Sequence, residues 1–427
     1  MSARAVCLGL LCSLGVSLAN GYNDHVENTL LTSTHFSMVG AVLLASLVFG
    51  VNAAARRWFR ARGLAAGELL LIWGMTSVAG GIASCGMMRY FPPWMVMPAH
   101  YASPSNEAGS LLLRHLPDWM VVSRDGSAPA VKWFMEGLPR GERVPWGAWV
   151  VPLAAWGAFA LLLCAAMLGL AALLYGAWAR QERLLFPLVR LPIELAREAA
   201  PGRALNNFLR RPLLWLGLGV PLLIHGFNGL KTYWPGGPAI PLAWSASGFF
   251  PDRPWSEFSL GQAHVFFSVI GLTFLLPAAL SFSLWVFFIL YRLSFVWIAW
   301  LGSGATGLWG DWSTRLSVQE TAGAILVLCA SLLFTARGAI RAAPRALLAL
   351  VATGLAGMAL WLAAGGMSWW AALFVTVAFT AVVIVLTRLV AETGFLVAAG
   401  GVFPTELLTA LVPAGWITGP TAAGELR

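Results

Sequence analysis

The stretch W-A-R-Q-E-R-L-L-F-P-L-V-R-L-P-I-E-L-A-R, residues 178–197, decides how the rest of the chain is interpreted. It follows a long apolar run, mixes charged with large apolar residues, and contains Pro187 and Pro192. Each proline removes a backbone donor and crowds the preceding turn, so we expect a broken segment here and no continuous helix. Glu182 and Glu194 lie among four arginines, which favours an amphipathic segment at a membrane surface or dipping into the membrane. An ordinary basic cytoplasmic loop is the alternative interpretation.

Composition indicates an integral membrane protein. Hydrophobic residues make up 59% of the chain, charged residues only 11%, and the mean hydropathy is +0.76, which excludes an ordinary soluble domain. The net charge of +9 would suit a nucleic acid. However, the arginines lie mostly in short loops between apolar runs, which is the pattern that orients membrane proteins. We therefore expect the lipid bilayer, and no nucleic acid, as a partner.

The apolar runs predict an all-α fold, a polytopic transmembrane helical bundle of about ten spans, some of them broken or re-entrant. In chain order the predicted parts are three spans in 1–88, a small extracytoplasmic cap in 89–145, spans in 146–230 with a cytoplasmic broken segment at 178–212, an extracytoplasmic loop in 231–263, and the remaining spans with a truncated tail in 264–427.

Two points of this topology stay open. Residues 5–19 are short for a span, and they fit either a retained first helix, which we favour, or a cleaved signal peptide. Residues 264–302 contain Pro277 and are long enough for two crossings or for one crossing plus a re-entrant piece.

Arginine placement predicts a cytoplasmic N-terminus. Arginines are concentrated at 56–62 and 180–211, whereas residues 20–35, the predicted outer loop before the second span, contain no lysine or arginine. Positive charge is enriched in cytoplasmic loops, so these two arginine-rich loops are predicted to be cytoplasmic and the cap extracytoplasmic.

Ionisable residues near the membrane are the best functional candidates, because burying a charge is costly unless it is paired or hydrated. Glu392 lies one helical turn after Arg388, and the two side chains either pair at the interface or mark a helix broken inside the bundle. In the second case a partly desolvated carboxylate would take up a proton near neutral pH. Glu320 is similar, at the start of a predicted span. His225 and Asn228 form a polar patch at helical spacing, although a lone histidine is more often structural.

No sequence pattern indicates an enzyme. The chain contains no H-E-x-x-H, G-x-S-x-G or Walker-type loop, so we predict no catalytic residue and no cofactor. The five cysteines are scattered through apolar stretches without metal-ligand spacing. Acidic and histidine residues of the cap also lack a diagnostic spacing, so no metal site is predicted; they are His100, His115, Asp118, Asp125 and Glu136.

Two of these stretches resemble a known superfamily. E-R-L-L-F-P at residues 182–187 resembles the E-x-L-x-F-P element of the oligopeptide transporter superfamily, and R-L-V-A-E-T-G at 388–394 resembles its later G-E-T-G element. An uncharacterised bacterial family of polytopic membrane proteins related to these transporters is a closer match. Four motifs resemble the pattern of that family: P-S-N-E at 104–107, L-P-D-W at 116–119, V-P-W-G-A-W at 144–149 and H-G-F-N-G-L-K-T-Y-W-P at 225–235.

The resemblance implies a helical, transporter-like fold in a bacterial inner membrane. The chain departs from the superfamily in two ways: it lacks the N-P-G element, and it ends soon after A-E-T-G, where relatives continue through further helices. Two alternatives follow: the chain is a shortened relative, or its second half is missing and a homo-oligomer or a second subunit completes the bundle.

Two functions follow from these observations. The first is a secondary transporter of a small polar solute, a peptide or a metal chelate, with possible proton coupling. Its solute or ion would be bound by the predicted site residues His225, Asn228, Glu320, Arg388 and Glu392. The second is a membrane-embedded subunit or enzyme of an envelope assembly pathway that uses the cap as a docking surface.

Overall fold

The computed structural model describes residues 2–25, 50, 64–83, 87–102, 113–184, 186–197, 207–234, 236–237, 239–245, 249–258, 262–301 and 310–393. Its helices are α1 (Ala3–His25), α2 (Ala66–Ala83), α3 (Met87–His100), α4 (Pro129–Glu136), α5 (Trp146–Gly176), α6 (Pro187–Ala196), α7 (Pro212–Gly229), α8 (Phe267–Phe274), α9 (Ala278–Trp300), α10 (Gly310–Arg341), α11 (Arg345–Ala364) and α12 (Trp369–Thr393). Two short strands, β1 (Ala243–Ser245) and β2 (Gln262–His264), pair in antiparallel orientation.

Helices long and apolar enough to cross a membrane dominate the fold. Within the described ranges there are seven of them, namely α1, α5, α7, α9, α10, α11 and α12. The helix α2 adds a shorter apolar stretch, Ala66–Gly80. The predicted all-α, polytopic bundle is therefore confirmed. Apart from Gly50, the second of the three spans predicted in 1–88 lies outside the described residues, as does the tail from 394.

The helices α5 and α11 form the closest pair of the bundle. A Cβ atom added at Gly354 would lie 2.7 Å from the backbone nitrogen of Ala166, so only a glycine fits this crossing. Small residues let membrane helices approach in this way. Further along, the indole Nε1 of Trp361 donates a hydrogen bond to the carbonyl oxygen of Ala155 at 3.0 Å. From Gly354 to Trp361 the chain advances along α11, while the contacted residues go back from Ala166 to Ala155 along α5. The two helices are therefore antiparallel.

One end of the bundle collects the C-termini of α5, α10 and α12. Trp178, Ala336 and Ala391, near the ends of these three helices, belong to one buried cluster. The antiparallel α11 starts at the same end. We call it the arginine-rich end and define it by Arg180, Arg183, Arg337, Arg341 and Arg345.

The N-terminal helices α1 and α2 begin at the arginine-rich end as well. Arg4 of α1 donates two hydrogen bonds to the Glu68 carboxylate of α2, from Nε at 3.1 Å and from Nη2 at 2.7 Å. At the far end of the pair, the Asn20 amide donates to the Gly80 carbonyl oxygen at 3.2 Å. The helices α1 and α2 are thus parallel. Leu69, at the start of α2, is clustered with Ala196 of α6, which fixes the pair to the arginine-rich end.

The cap occupies the opposite end. Phe91 and Met95 of α3 are clustered with Trp149 near the start of α5. The indole of Trp156 donates to the Met120 carbonyl oxygen at 3.0 Å, which binds the cap to the helix below it. The described part of residues 89–145 is therefore a folded unit that is anchored on α5.

Residues 264–302 contain one helix long enough to cross. The helix α8 has eight residues and spans about 12 Å, far less than the roughly 30 Å of a hydrocarbon core. Pro277 then precedes α9, which has 23 residues. Among the described residues of this stretch, α9 is therefore the one helix long enough to cross a membrane, and α8 is a short helix before it.

Candidate functional site

The predicted broken segment begins with a π turn. The helix α5 ends at Gly176 and continues as a π-helical turn at Ala177–Gln181, a feature that is frequent at functional sites. The backbone then takes left-handed conformations at Arg183, with φ of 54°, and at Phe186, with φ of 46°. Such conformations cost about 1–3 kcal/mol each for residues other than glycine. Packing of the surrounding helices must therefore impose this break.

The two prolines of the segment occupy different positions in α6. Pro187 occupies the first turn of α6, where the missing N–H group is not needed by the helix. Pro192 lies inside α6, and the helix continues through it to Ala196. The expectation that both prolines interrupt helices is therefore wrong for Pro192, and the break lies before Pro187. Both proline rings are buried, which ties α6 to its neighbours.

Apolar side chains attach the break to the bundle. Leu184 and Phe186 are half-buried and pack against the buried cluster that contains Trp178. Val189 is half-buried as well, whereas the side chains of Leu185, Leu188 and Leu191 lie outside the described set. The segment is thus an ordered part of the bundle and not a free loop.

An ion-pair network joins this break to α12. The Arg388 guanidinium donates from Nη1 to Glu182 Oε2 at 2.5 Å and from Nε to Glu392 Oε2 at 3.2 Å. The side chains of Arg388, Glu182 and Glu392 are 13%, 26% and 36% exposed. We call these three residues the carboxylate–arginine network. It places one cation between two anions, so its formal charge is −1.

An indole completes the surroundings of the network. The Cζ atom of Arg388 lies 5.8 Å from the ring centroid of Trp178, within the range of a cation–π contact. Trp178 is 2% exposed, and its Nε1 has no hydrogen-bond partner among the described residues. The π turn therefore positions both an anion, Glu182, and an aromatic face against the same guanidinium.

The network contains two of the predicted site residues. The pairing of Arg388 with Glu392 along one helix is confirmed, and it corresponds to the simpler of the two interpretations. Whether the helix breaks beyond Glu392 lies outside the described residues, because α12 is described to Thr393. The sequence placed Glu182 among the arginines of its own segment, and its partner on α12 was not predicted. No local sequence pattern indicated this contact.

The other predicted residues lie elsewhere. Glu194 pairs with Arg197 in its own segment at 3.0 Å. Glu320 was expected in the first turn of a helix, but α10 begins ten residues earlier at Gly310, so a helix-dipole role is wrong. The side chain of Glu320 is outside the described set.

His225 and Asn228 lie in the last turns of α7 and contact the loop that follows it. Asn228 holds this loop through two hydrogen bonds with the backbone of Ile240, at 2.9 and 2.8 Å. His225 meets the ring of Phe267 edge-on at 5.7 Å. It lines a cleft of about 340 Å³ together with His264 and Phe266. These contacts give Asn228 a structural role.

No metal site is formed by the side chains that the structure describes. Among them, no three histidine, cysteine, aspartate or glutamate residues are grouped closely enough to hold an ion. In the cap, Asp118 instead pairs with Arg124 at 2.8 Å, and Asp125 accepts hydrogen bonds from Ser127.

Comparison with known proteins gives one match. A family described as "Family of unknown function (DUF6785)" matches residues 1–424. No curated protein and no solved structure matches the chain.

Proposed function

Because the chain belongs to the DUF6785 family, whose function is unknown, we propose a function from the geometry of the carboxylate–arginine network. The protein is a secondary transporter, similar to the oligopeptide transporters, that moves a small polar solute such as a peptide or a metal chelate. The observation that carries the proposal is the bridge from Glu182, at a helix break, to Arg388 on α12.

The network has the properties of a gate. Arg388 holds Glu392 on its own helix and Glu182 across the interface, so it can release one carboxylate while keeping the other. Irregular backbone at membrane depth is tolerated where it is buried in protein or lines a cavity, and broken helices mark binding sites in transporters. The network has one carboxylate more than it has cations. A proton or a cationic group of the solute would compensate that charge, which is the basis for proton coupling.

Transport is tested with purified full-length protein in liposomes that contain a pH-sensitive dye. Panels of short peptides and of metal chelates are added outside, and the solute-dependent entry of protons is recorded. We expect a signal with one panel and at least a tenfold slower rate for Glu182→Gln and Glu392→Gln. The matched control is Glu136→Gln, whose exposed carboxylate pairs with Lys132 in the cap at the opposite end.

Equal rates for the two network variants and the control would show that the network only clamps the bundle. Absence of any solute-dependent proton flux with the wild-type protein would contradict coupled transport of these two solute classes.

A second function, as a membrane-embedded subunit of an envelope assembly, has a separate observation in its favour. Against the described residues, α7 has no buried residue and α9 has only Val296. Arg292 lies inside α9, and its Nε is buried without a hydrogen-bond partner in the described part of the chain. Its contact is with the ring of Phe288, at 5.4 Å from the centroid. A cation inside a span requires a counter-charge or water.

That arrangement suits a partner helix with an acidic residue, in a second copy or another subunit. The mass of the purified particle in mild detergent tests it. We expect an oligomer that Arg292→Leu dissociates while Arg253→Leu, in the loop beyond α7, leaves it intact. A wild-type particle of one chain would contradict the homo-oligomer.

A further inference from the structure

The arginine-rich end carries more cations than the acids around it can pair. Its five defining arginines are exposed, and none has a carboxylate partner among the residues that the structure describes. Nearby acids are already engaged: Glu182 and Glu392 with Arg388, and Glu194 with Arg197. The end therefore presents uncompensated positive charge to its surroundings.

The exposed apolar residues beside these arginines indicate where the guanidinium groups lie relative to a bilayer. The Cζ atom of Arg337 lies 3.9 Å from the ring centroid of Phe334, which is 68% exposed on the outer surface of α10. On the adjoining helix, Leu348 and Leu350 are exposed just beyond Arg345. The outer apolar surface thus ends where the guanidinium groups begin, as it does at the headgroup level of a bilayer.

The cations are gathered from two separate parts of the chain. Arg341 and Arg345 flank the short turn between α10 and α11. Arg180 and Arg183 lie on and after the π turn, whose Trp178 shares a buried cluster with Ala336 of α10. Packing of α5 against α10 therefore brings both groups to the same end of the bundle.

We infer that the arginine-rich end is a binding site for anionic phospholipids, which it holds through their phosphodiester headgroups. Guanidinium groups match phosphate oxygens with paired N–H donors. Acyl chains of the same lipid would cover Phe334 and the exposed leucines, a contact that a free phosphate or a nucleic acid cannot make. Each arginine near an anionic surface strengthens binding by about fivefold. The inference is independent of the transport proposal.

The test uses the full-length protein in detergent and in nanodiscs. Retention of phosphatidylglycerol and of phosphatidylcholine is measured by native mass spectrometry, and the thermal midpoint is compared between nanodiscs of either lipid. We expect preferential retention of phosphatidylglycerol. The double variant Arg341→Gln/Arg345→Gln should weaken it about 30-fold. The matched control is Arg140→Gln/Arg143→Gln, which removes two exposed arginines of the cap.

Several outcomes would overturn the inference. Equal loss in both double variants would show that net charge alone attracts the lipid. Displacement of phosphatidylglycerol by millimolar inorganic phosphate would assign the site to a free anion, and displacement by short RNA to a nucleic acid. If the glutamine variant does not fold, Arg341→Lys/Arg345→Lys keeps the charge and should keep most of the retention. Complete loss in that folded lysine variant would contradict headgroup binding by charge.

Discussion

The Nη1 atom of Arg388 lies 2.5 Å from Oε2 of Glu182, although 206 residues separate the two along the chain. This contact joins the residue that follows the π turn at the end of α5 to the last described turns of α12. Because the second carboxylate, Glu392, lies one turn along the same helix, loss of the arginine would leave two anions facing each other.

Removal of Arg388 should therefore cost more than removal of either acid. We expect Arg388→Gln to lower the free energy of unfolding by about 1–3 kcal/mol, less than a fully buried pair because the site is partly hydrated. Adding Glu182→Gln to that variant should recover part of the loss. Unfolding in mixed micelles, followed by tryptophan fluorescence, measures the four members of this cycle. Strict additivity of the two substitutions would contradict a direct interaction.

Packing of α5 against α11 predicts a second effect. Gly354→Ala places a Cβ atom 2.7 Å from the Ala166 nitrogen and should destabilise the fold by about 1–3 kcal/mol. The matched control is Gly217→Ala in α7, where, apart from its chain neighbours and the adjacent helix backbone, no atom of the described chain lies within 4 Å of the added Cβ. Alanine favours helices over glycine, so the control should be neutral or slightly stabilising. Comparable thermal midpoints for the two variants would show that the helices can separate without cost.

The cap should respond to acid through Asp125. The hydroxyl and backbone N–H of Ser127 donate to this carboxylate and lower its pKa below the ordinary value. A group with a lower pKa in the folded state contributes stability above its unfolded pKa and loses it as pH falls through the folded pKa. The thermal midpoint of the wild type should therefore fall more steeply below about pH 4 than that of Asp125→Ala. Parallel curves for the two proteins would show that the Ser127 contacts do not affect stability.

The orientation of the bundle is a further prediction. We propose that the arginine-rich end and the N-terminus face the cytoplasm of a bacterial inner membrane and that the cap faces outward. In a variant without native cysteines, a membrane-impermeant thiol reagent should label Ser123→Cys in intact cells and spare Ala342→Cys. Permeabilised cells should label both. Protection of Ser123→Cys together with labelling of Ala342→Cys would reverse the topology.

Much of the helical architecture was predictable because hydropathy and prolines act locally. The spans expected in 146–230 are formed by α5, which begins at Trp146, and by α7 at Pro212–Gly229. The contact of Glu182 with Arg388 was not predictable in the same way. It depends on how α5 packs beside α12, and no local pattern records that register. Glu320 shows the related failure: the polar residues before it gave no sign that the helix starts at Gly310.

The π turn at Ala177–Gln181 also has a consequence for chain length. A π turn accommodates one residue more than an α-helical turn, and each residue rotates an α-helix by about 100°. If the same residues formed a regular α-helical turn, Glu182 would point about a quarter of the way further around the axis, away from α12. A one-residue deletion in the turn would instead restore a regular helix and leave Glu182 near its present angle, so the partnership with Arg388 should tolerate that deletion.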